Sequence, residues 1–371
     1  MDPQAQFCHN PDCPARGGVG QGNIRIHSRK ERRYRCTTCN KTFAATRGTP
    51  FYRLESPPET VTRVTTLLSH GCPLQAIVAA FGLDERTIAR WQQRTGQHCQ
   101  QLHEHLVQQG QVDLQHVQAD ELYVKTVGRR LWMAMAMAVP SRLWLGGVIS
   151  PRRDLDLITE LVEMVRSSAR SLAILVCVDG LASYITAFVR VFRHPVRTGQ
   201  PGRPRLEEEP GLLIGQVIKH QEKRRVVGVT RRVVRGTAAA ILAVLTATGT
   251  GTGINTAYIE RLNATFRAAA APLTRRGRAI ARTEEALEPE MFLVGCAYNF
   301  CWEQRSLRRA APAGVSPKWQ GRTPAMAAGL TDHRWTMREL LSYQVPPPPW
   351  VAPKRRGRPP KRNQPEMPAA A

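Results

Sequence analysis

Four cysteines within the first 39 residues, Cys8, Cys13, Cys36 and Cys39, constrain this chain more than any other feature. They fall in two pairs, Cys8-x4-Cys13 and Cys36-x2-Cys39, separated by a stretch with Gly17-Gly18 and strand-like alternation around Ile24, Ile26 and Tyr34. A segment this poor in apolar residues cannot build a sufficient core, so a bound ion must supply much of its folding free energy. Two short Cys hairpins presenting four thiolates fit a closed, structural, tetrahedral zinc site. The wider spacing of the first pair admits His9 as a rival ligand. The other five cysteines (Cys72, Cys99, Cys177, Cys296 and Cys301) are scattered, several in apolar runs, and read as small buried hydrophobes. A disulfide framework would suit a small secreted chain. Met1-Asp2-Pro3-Gln4 opens with neither a basic stretch nor an apolar run, so no secretory signal is expected.

Over 371 residues, 53 Lys and Arg face 29 Asp and Glu, a formal net charge of +24, with an ordinary 42% of hydrophobic residues. The length suggests two or three compact units. The charge makes a polyanion the default partner. Nucleic acid is favoured over a membrane, because no stretch approaches the roughly 20 apolar residues needed to span a bilayer. A cytoplasmic, nucleoid-associated protein is the expectation.

Composition and periodicity divide the chain into five parts. Residues 1–53 hold the cysteine pairs. Residues 58–110 read as helical, with Val61, Val64, Leu67 and Leu68 on one face. A short helix then follows Pro73, Gly82-Leu83 makes a turn, and Asp84 caps a second helix bearing Arg86, Arg90 and Arg94, which predicts a DNA-binding helix-turn-helix. Residues 111–305 are α/β, with a Gly-, Pro- and Glu-rich loop insertion at about 194–213. Their order is three antiparallel strands, a helix near 154–168, a buried strand at Leu172–Val178 and later helices, as expected of an RNase H-like layer. A helical extension is expected over 306–343. Residues 344–371 are a Pro-rich basic tail, expected to be disordered when unbound, in which Arg356-Gly357-Arg358-Pro359 reads as an AT-hook core or a generic basic tether. Trp132, Trp144, Trp302 and Trp319 are assigned to the core.

Three carboxylates carry the candidate chemistry. Asp120 lies in the strand Val117-Gln-Ala-Asp-Glu-Leu-Tyr123, where alternation sends Asp120 and Glu121 to opposite faces, so that only one of them belongs to a given site. Asp179 ends the buried strand ahead of Gly180, at the edge where ligand crevices of α/β sheets open. Glu260, Asn263 and Arg267 form a polar stripe beside the apolar stripe Ile259, Leu262 and Phe266, on a helix that Asn255 or Thr256 can cap. Three such carboxylates converging on magnesium ions would suit phosphoryl transfer.

The chain to about residue 343 resembles bacterial insertion-sequence transposases of the DDE type with an N-terminal zinc ribbon. The matching residues are the cysteine pairs with Thr46-Arg-Gly-Thr-Pro50, Ala119-Asp120-Glu121, Val178-Asp179-Gly180, and Asn255-x4-Glu260-Arg-x-Asn263-x3-Arg267. The resemblance implies that Asp120, Asp179 and Glu260 are the catalytic residues and bind two Mg²⁺ (or Mn²⁺) ions. It also implies that Asn263 and Arg267 support the metal shell or contact DNA. The substrates would be the double-stranded terminal inverted repeats and target DNA, engaged by a homo-oligomer, with no membrane involved. The 198–211 insertion departs from the pattern and leaves Glu284, Glu285 and Glu288 as alternatives to Glu260. Rival readings are a catalytically inactive or domesticated DNA-binding protein, and a nuclease acting on RNA–DNA hybrids.

Overall fold

A computed structural model describes residues 1–109, 111–126, 130–197, 199, 202–223, 225–273, 284–312 and 316–352. The chain falls into two compact units, one of Met1–Arg47 with the described part of Pro346–Ala371, the other of Gly48–Val345. Arg356 and Arg358, with the expected disorder of the tail, lie outside the described residues.

The first unit is a three-stranded antiparallel sheet of β1 (Ile24–Ser28), β2 (Arg33–Cys36) and β3 (Thr42–Ala44). Its core is small: Ile24, Tyr34 and Phe43 pack with Cys8, Cys13 and Cys36. Asn40, at φ 57°, takes the left-handed conformation in the turn from β2 to β3, which Asn tolerates well.

The second unit opens with α1 (Pro58–Ser69), α2 (Leu74–Phe81) and α3 (Glu85–Leu106). Gly82 ends α2 in the left-handed conformation, and the Asp84 side chain accepts the Arg86 N–H to cap α3. Val61, Val64, Ile77, Ile88 and Trp91 from these helices belong to the same buried core as the large sheet that follows.

That sheet is built from β4 (His116–Lys125), β5 (Arg130–Ala138), β6 (Leu143–Ser150), β7 (Leu175–Asp179), β10 (Leu213–Glu222) and β11 (Arg225–Arg235), in the spatial order β11-β10-β7-β4-β5-β6. The strands β4, β5 and β6 form an antiparallel meander, because short links suffice for antiparallel neighbours. β7 runs parallel to β4, and β10 parallel to β7, which requires crossovers. The crossovers contain α4 (Leu155–Ser168) and α5 (Ala182–Val191), whose apolar faces cover the sheet. Central β7 is buried from Leu175 to Val178, as a parallel strand covered on both faces must be. The chain is therefore a mixed α/β protein with a six-stranded mixed sheet and a four-cysteine cluster.

Between α5 and β10, the region expected as a loop contains an antiparallel pair, β8 (Arg193–Val196) with β9 (Arg205–Glu208). Across the pair Arg193 faces Glu208, which also meets Arg235 near the end of β11, in charged strands that composition alone reads as a loop. After the sheet come α6 (Ala238–Thr248), α7 (Ala257–Ala269) and α8 (Glu284–Cys296). The expected helical extension is mixed, with β12 (Arg309–Ala310) paired to β13 (Trp319–Gln320) before α9 (Pro324–Ala327) and α10 (Met337–Ser342).

Trp144 is the hub of the core, touching the rings of His103, Phe266 and Phe292, while the Asn299 amide bonds both backbone groups of Trp144. Trp319 departs from the core assignment. It is exposed, with the Arg308 guanidinium 4.3 Å from its ring centre. No helix among the described residues is long and apolar enough to cross a membrane.

Candidate functional site

The last pairing between β4 and β7 is Gln118 with Cys177, so the two strands part just before Asp120 and Asp179. A cleft of about 680 Å³ opens there, lined by Asp120, Asp179, Glu260, Asn263 and Arg267 among others. Residues far apart in sequence meet because α7 is docked onto β4 by one buried side chain. Gln118 Oε1 accepts the N–H groups of Tyr258 and Ile259 at 3.1 and 3.0 Å, and its Nε2 donates to the Asn255 carbonyl at 2.7 Å. Gln118 thus satisfies first-turn donors of α7 that the N-cap residue Thr256 leaves open. Two residues further along β4, on the same face, Asp120 Oδ2 accepts Asn263 Nδ2 at 2.8 Å.

Asn263 is 1% exposed, and its amide, expected to serve the metal shell or DNA, is turned to Asp120 at the wall of the cleft. Its Oδ1 is buried without a hydrogen-bond partner among the described residues. Arg267, on the same stripe, lines the cleft.

Carboxylate oxygens of Asp120, Glu121 and Asp179 all lie within 4.8 Å of one another. This corrects the expectation that strand alternation excludes Glu121 from the site. Alternation is kept, since Asp120 turns to α7 while Glu121 meets Tyr184 of α5 at 2.9 Å and Arg153. The parted strand ends nevertheless leave Asp179 beside both. Arg153 also reaches Asp179 at 3.6 Å. Glu260 lines the same cleft but is not one of the three clustered carboxylates. Its Oε1 is held by Lys219 Nζ at 2.5 Å and by Thr256 Oγ1 at 2.8 Å. Of the alternatives to Glu260, Glu285 and Glu288 do not line the cleft, and the Glu284 side chain lies outside the described residues.

Charge crowding marks this cleft. Burial, then the charges of Glu121 and Asp179, push the Asp120 carboxyl up to about 7, with Glu260 adding to the rise. Burial and Asp179 also raise Glu121, while Arg153 and Tyr184 oppose them. Burial raises Glu260, but the Lys219 and Thr256 hydrogen bonds and the Lys219 charge outweigh it, holding that carboxyl below its usual range. A crowded, hard-oxygen donor set with an orphaned amide oxygen beside it fits a divalent cation such as magnesium.

In the first unit, the four cysteine sulfurs form a second group whose members lie within 4.8 Å of one another. Cys8 Sγ is 3.7 Å from Cys39 Sγ, and Cys13 Sγ is 3.9 Å from Cys36 Sγ. Tetrahedral zinc with Zn–S bonds of about 2.3 Å requires sulfurs about 3.8 Å apart, so the group could bind a structural zinc. Burial raises the Cys36 thiol, but backbone N–H groups of Cys39 and Thr38 overcome it and bring it to about 7. His9 is not in the group. It packs against Phe7 and Phe43, with burial and then Arg47 and Arg16 lowering its pKa to about 4.

On α3, Arg86 and Arg90 are exposed. Arg94 is not a free surface cation. It is half-buried and donates to the Tyr52 carbonyl, tying the segment before α1 to α3. The residues that sequence reasoning missed are Gln118, Glu121, Arg153, Tyr184 and Lys219. A buried glutamine two positions from an aspartate on a strand was the available signal for Gln118, while Lys219 and Arg153 carried none.

No protein-family model matches the chain, and no curated protein matches its sequence.

Proposed function

We propose that this chain is a DDE-type transposase that cleaves DNA strands at element ends and transfers them into target DNA. The observation that carries the reading is the single cleft lined by Asp120 from β4, Asp179 from the end of β7 and Glu260 from α7. The order β6-β5-β4-β7-β10, an antiparallel meander continued by two parallel strands, supports an RNase H-like catalytic domain. The four-cysteine sheet is read as a zinc ribbon, and α2 and α3 as a helix-turn-helix whose Arg86 and Arg90 contact the inverted repeats. The net charge of +24 suits a DNA partner engaged by a homo-oligomer.

Asp120, Asp179 and Glu260 would hold Mg²⁺ or Mn²⁺. Such ions, when bound, supply activation of the attacking oxygen and neutralisation of the leaving one. The protein's own work is positioning: Asn263 fixes Asp120, Gln118 fixes α7, and the Leu181 N–H fixes Asp179 at 3.0 Å. Arg153, Lys219 and Arg267 supply positive charge to the walls of the cleft, where a phosphodiester is drawn in and oriented.

The test is nicking of duplexes carrying the inverted repeats that flank the gene, with Mg²⁺ or Mn²⁺. Cleavage lost in Asp120→Ala and Asp179→Ala supports the reading. The Lys219–Glu260 ion pair favours a second reading, a DNA-binding protein that does not cut. Specific binding without cleavage by the wild type would establish that one, and a preference for RNA–DNA hybrids over duplex would point to a hybrid nuclease.

A further inference from the structure

Helix α7 carries a second polar stripe that the proposed chemistry does not use. Tyr258, Arg261 and Thr265 follow the same i, i+3, i+7 spacing as Glu260, Asn263 and Arg267, but two residues earlier. At 100° per residue the two stripes lie roughly 160° apart around the helix. On this other side a pocket of about 420 Å³ is lined by three arginines, Arg142, Arg261 and Arg305. No acidic side chain lines it among the described residues.

Arg142 is held rather than loose. Its guanidinium lies 4.0 Å from the Tyr258 ring centre and donates to the Val139 carbonyl. Burial, with Arg261 adding to it, lowers its pKa despite support from Tyr258 and Tyr298. A half-buried guanidinium beside a second one is unfavourable until an anion enters. Because Arg142 covers a face of Tyr258 and Tyr298 is buried, the pocket offers guanidinium N–H groups with the Ser306 hydroxyl, rather than a bare stacking platform. That is the donor set for a tetrahedral oxyanion.

We propose that this pocket binds a backbone phosphate of the DNA strand that enters the acidic cleft, and so sets the strand's register on α7. Around a helix about 10–12 Å in diameter, the separation of the two stripes is a surface path of roughly 15 Å, which about four to five nucleotides of stacked strand span. The proposal rests on DNA being the substrate, but not on cleavage.

The experiment measures equilibrium binding of the full-length protein to the end-containing duplex without divalent cations, over a series of salt concentrations. The proteins compared are wild type, the double variant Arg261→Gln with Arg305→Gln, and Arg170→Gln as a paired surface control. Loss of one or two phosphate contacts lowers the salt slope by about 1 to 2 and the affinity about 10-fold in the double variant alone. An unchanged slope and affinity overturns the proposal. In a second arm, inorganic phosphate is added and the unfolding temperature followed. Stabilisation lost in the double variant, with the DNA slope unchanged, overturns the assignment to DNA and leaves a free-phosphate site. A lowered slope in a protein that never nicks DNA upholds the pocket while the transposase reading fails. Nicking with an unchanged slope does the reverse.

Discussion

Asn263 Nδ2 donates to Asp120 Oδ2 at 2.8 Å, joining helix α7 to the central strand across more than a hundred residues of chain. The bond leaves Asp120 one oriented oxygen in a cleft crowded with like charge. Replacing Asn263 with Ala removes that orientation without touching the carboxylates. Divalent-dependent nicking is expected to fall about 10- to 100-fold, the usual cost of losing a partner of a metal-binding carboxylate. The unfolding transition and end-DNA affinity should change little, and a parallel loss of all three would assign Asn263 a purely structural role.

Gln118 anchors α7 from inside the sheet. Gln118→Ala strands two first-turn N–H groups in a buried place, so stability should drop by about 1–3 kcal/mol in denaturant titration. Gln118→Glu keeps an acceptor there and should recover part of that loss. Wild-type stability in the Ala variant would mean that α7 is positioned by its apolar stripe alone.

The cysteine group predicts one zinc per chain by elemental analysis. Cys13→Ser should abolish it and expose the Met1–Arg47 unit to proteolysis, while Cys99→Ser leaves the metal content unchanged. Retained zinc in Cys13→Ser would contradict a four-thiolate site.

Glu290, on α8, supplies a pH test away from the cleft. Burial pushes its carboxyl up to about 7, against the opposing hydrogen bond from the Ala271 backbone. Between its ordinary value of 4.5 and about 7 the folded state keeps a proton that the unfolded chain has released, so stability is lost as pH rises through that window. Glu290→Gln should therefore match wild type at pH 4 and exceed it by about 3 kcal/mol at pH 8. Parallel stability profiles for the two proteins would refute the assignment.

Much of the strand and helix order was legible because hydrophobic periodicity reports burial directly. The alternation from Val117 to Tyr123, the apolar run ending at Asp179 and the stripe Ile259, Leu262 and Phe266 all coincide with elements that face the core. The β8–β9 pair was hidden, because its residues are mostly charged or exposed and show no apolar alternation. In the site, the positions of Asp120, Asp179 and Glu260 could be nominated from strand edges and helix spacing. Glu121 could not, since its approach to Asp179 depends on where β4 and β7 part. Nor could Lys219, whose bond to Glu260 joins a strand and a helix that only the folded chain brings together.

Titration of Mn²⁺ into the full-length protein, followed by electron paramagnetic resonance, reaches the central claim most directly. The account predicts that Asp120→Ala, Asp179→Ala and Glu260→Gln each weaken Mn²⁺ binding at least 10-fold while the fold and end-DNA binding persist. Wild-type Mn²⁺ affinity in all three variants would contradict a shared cation site in this cleft.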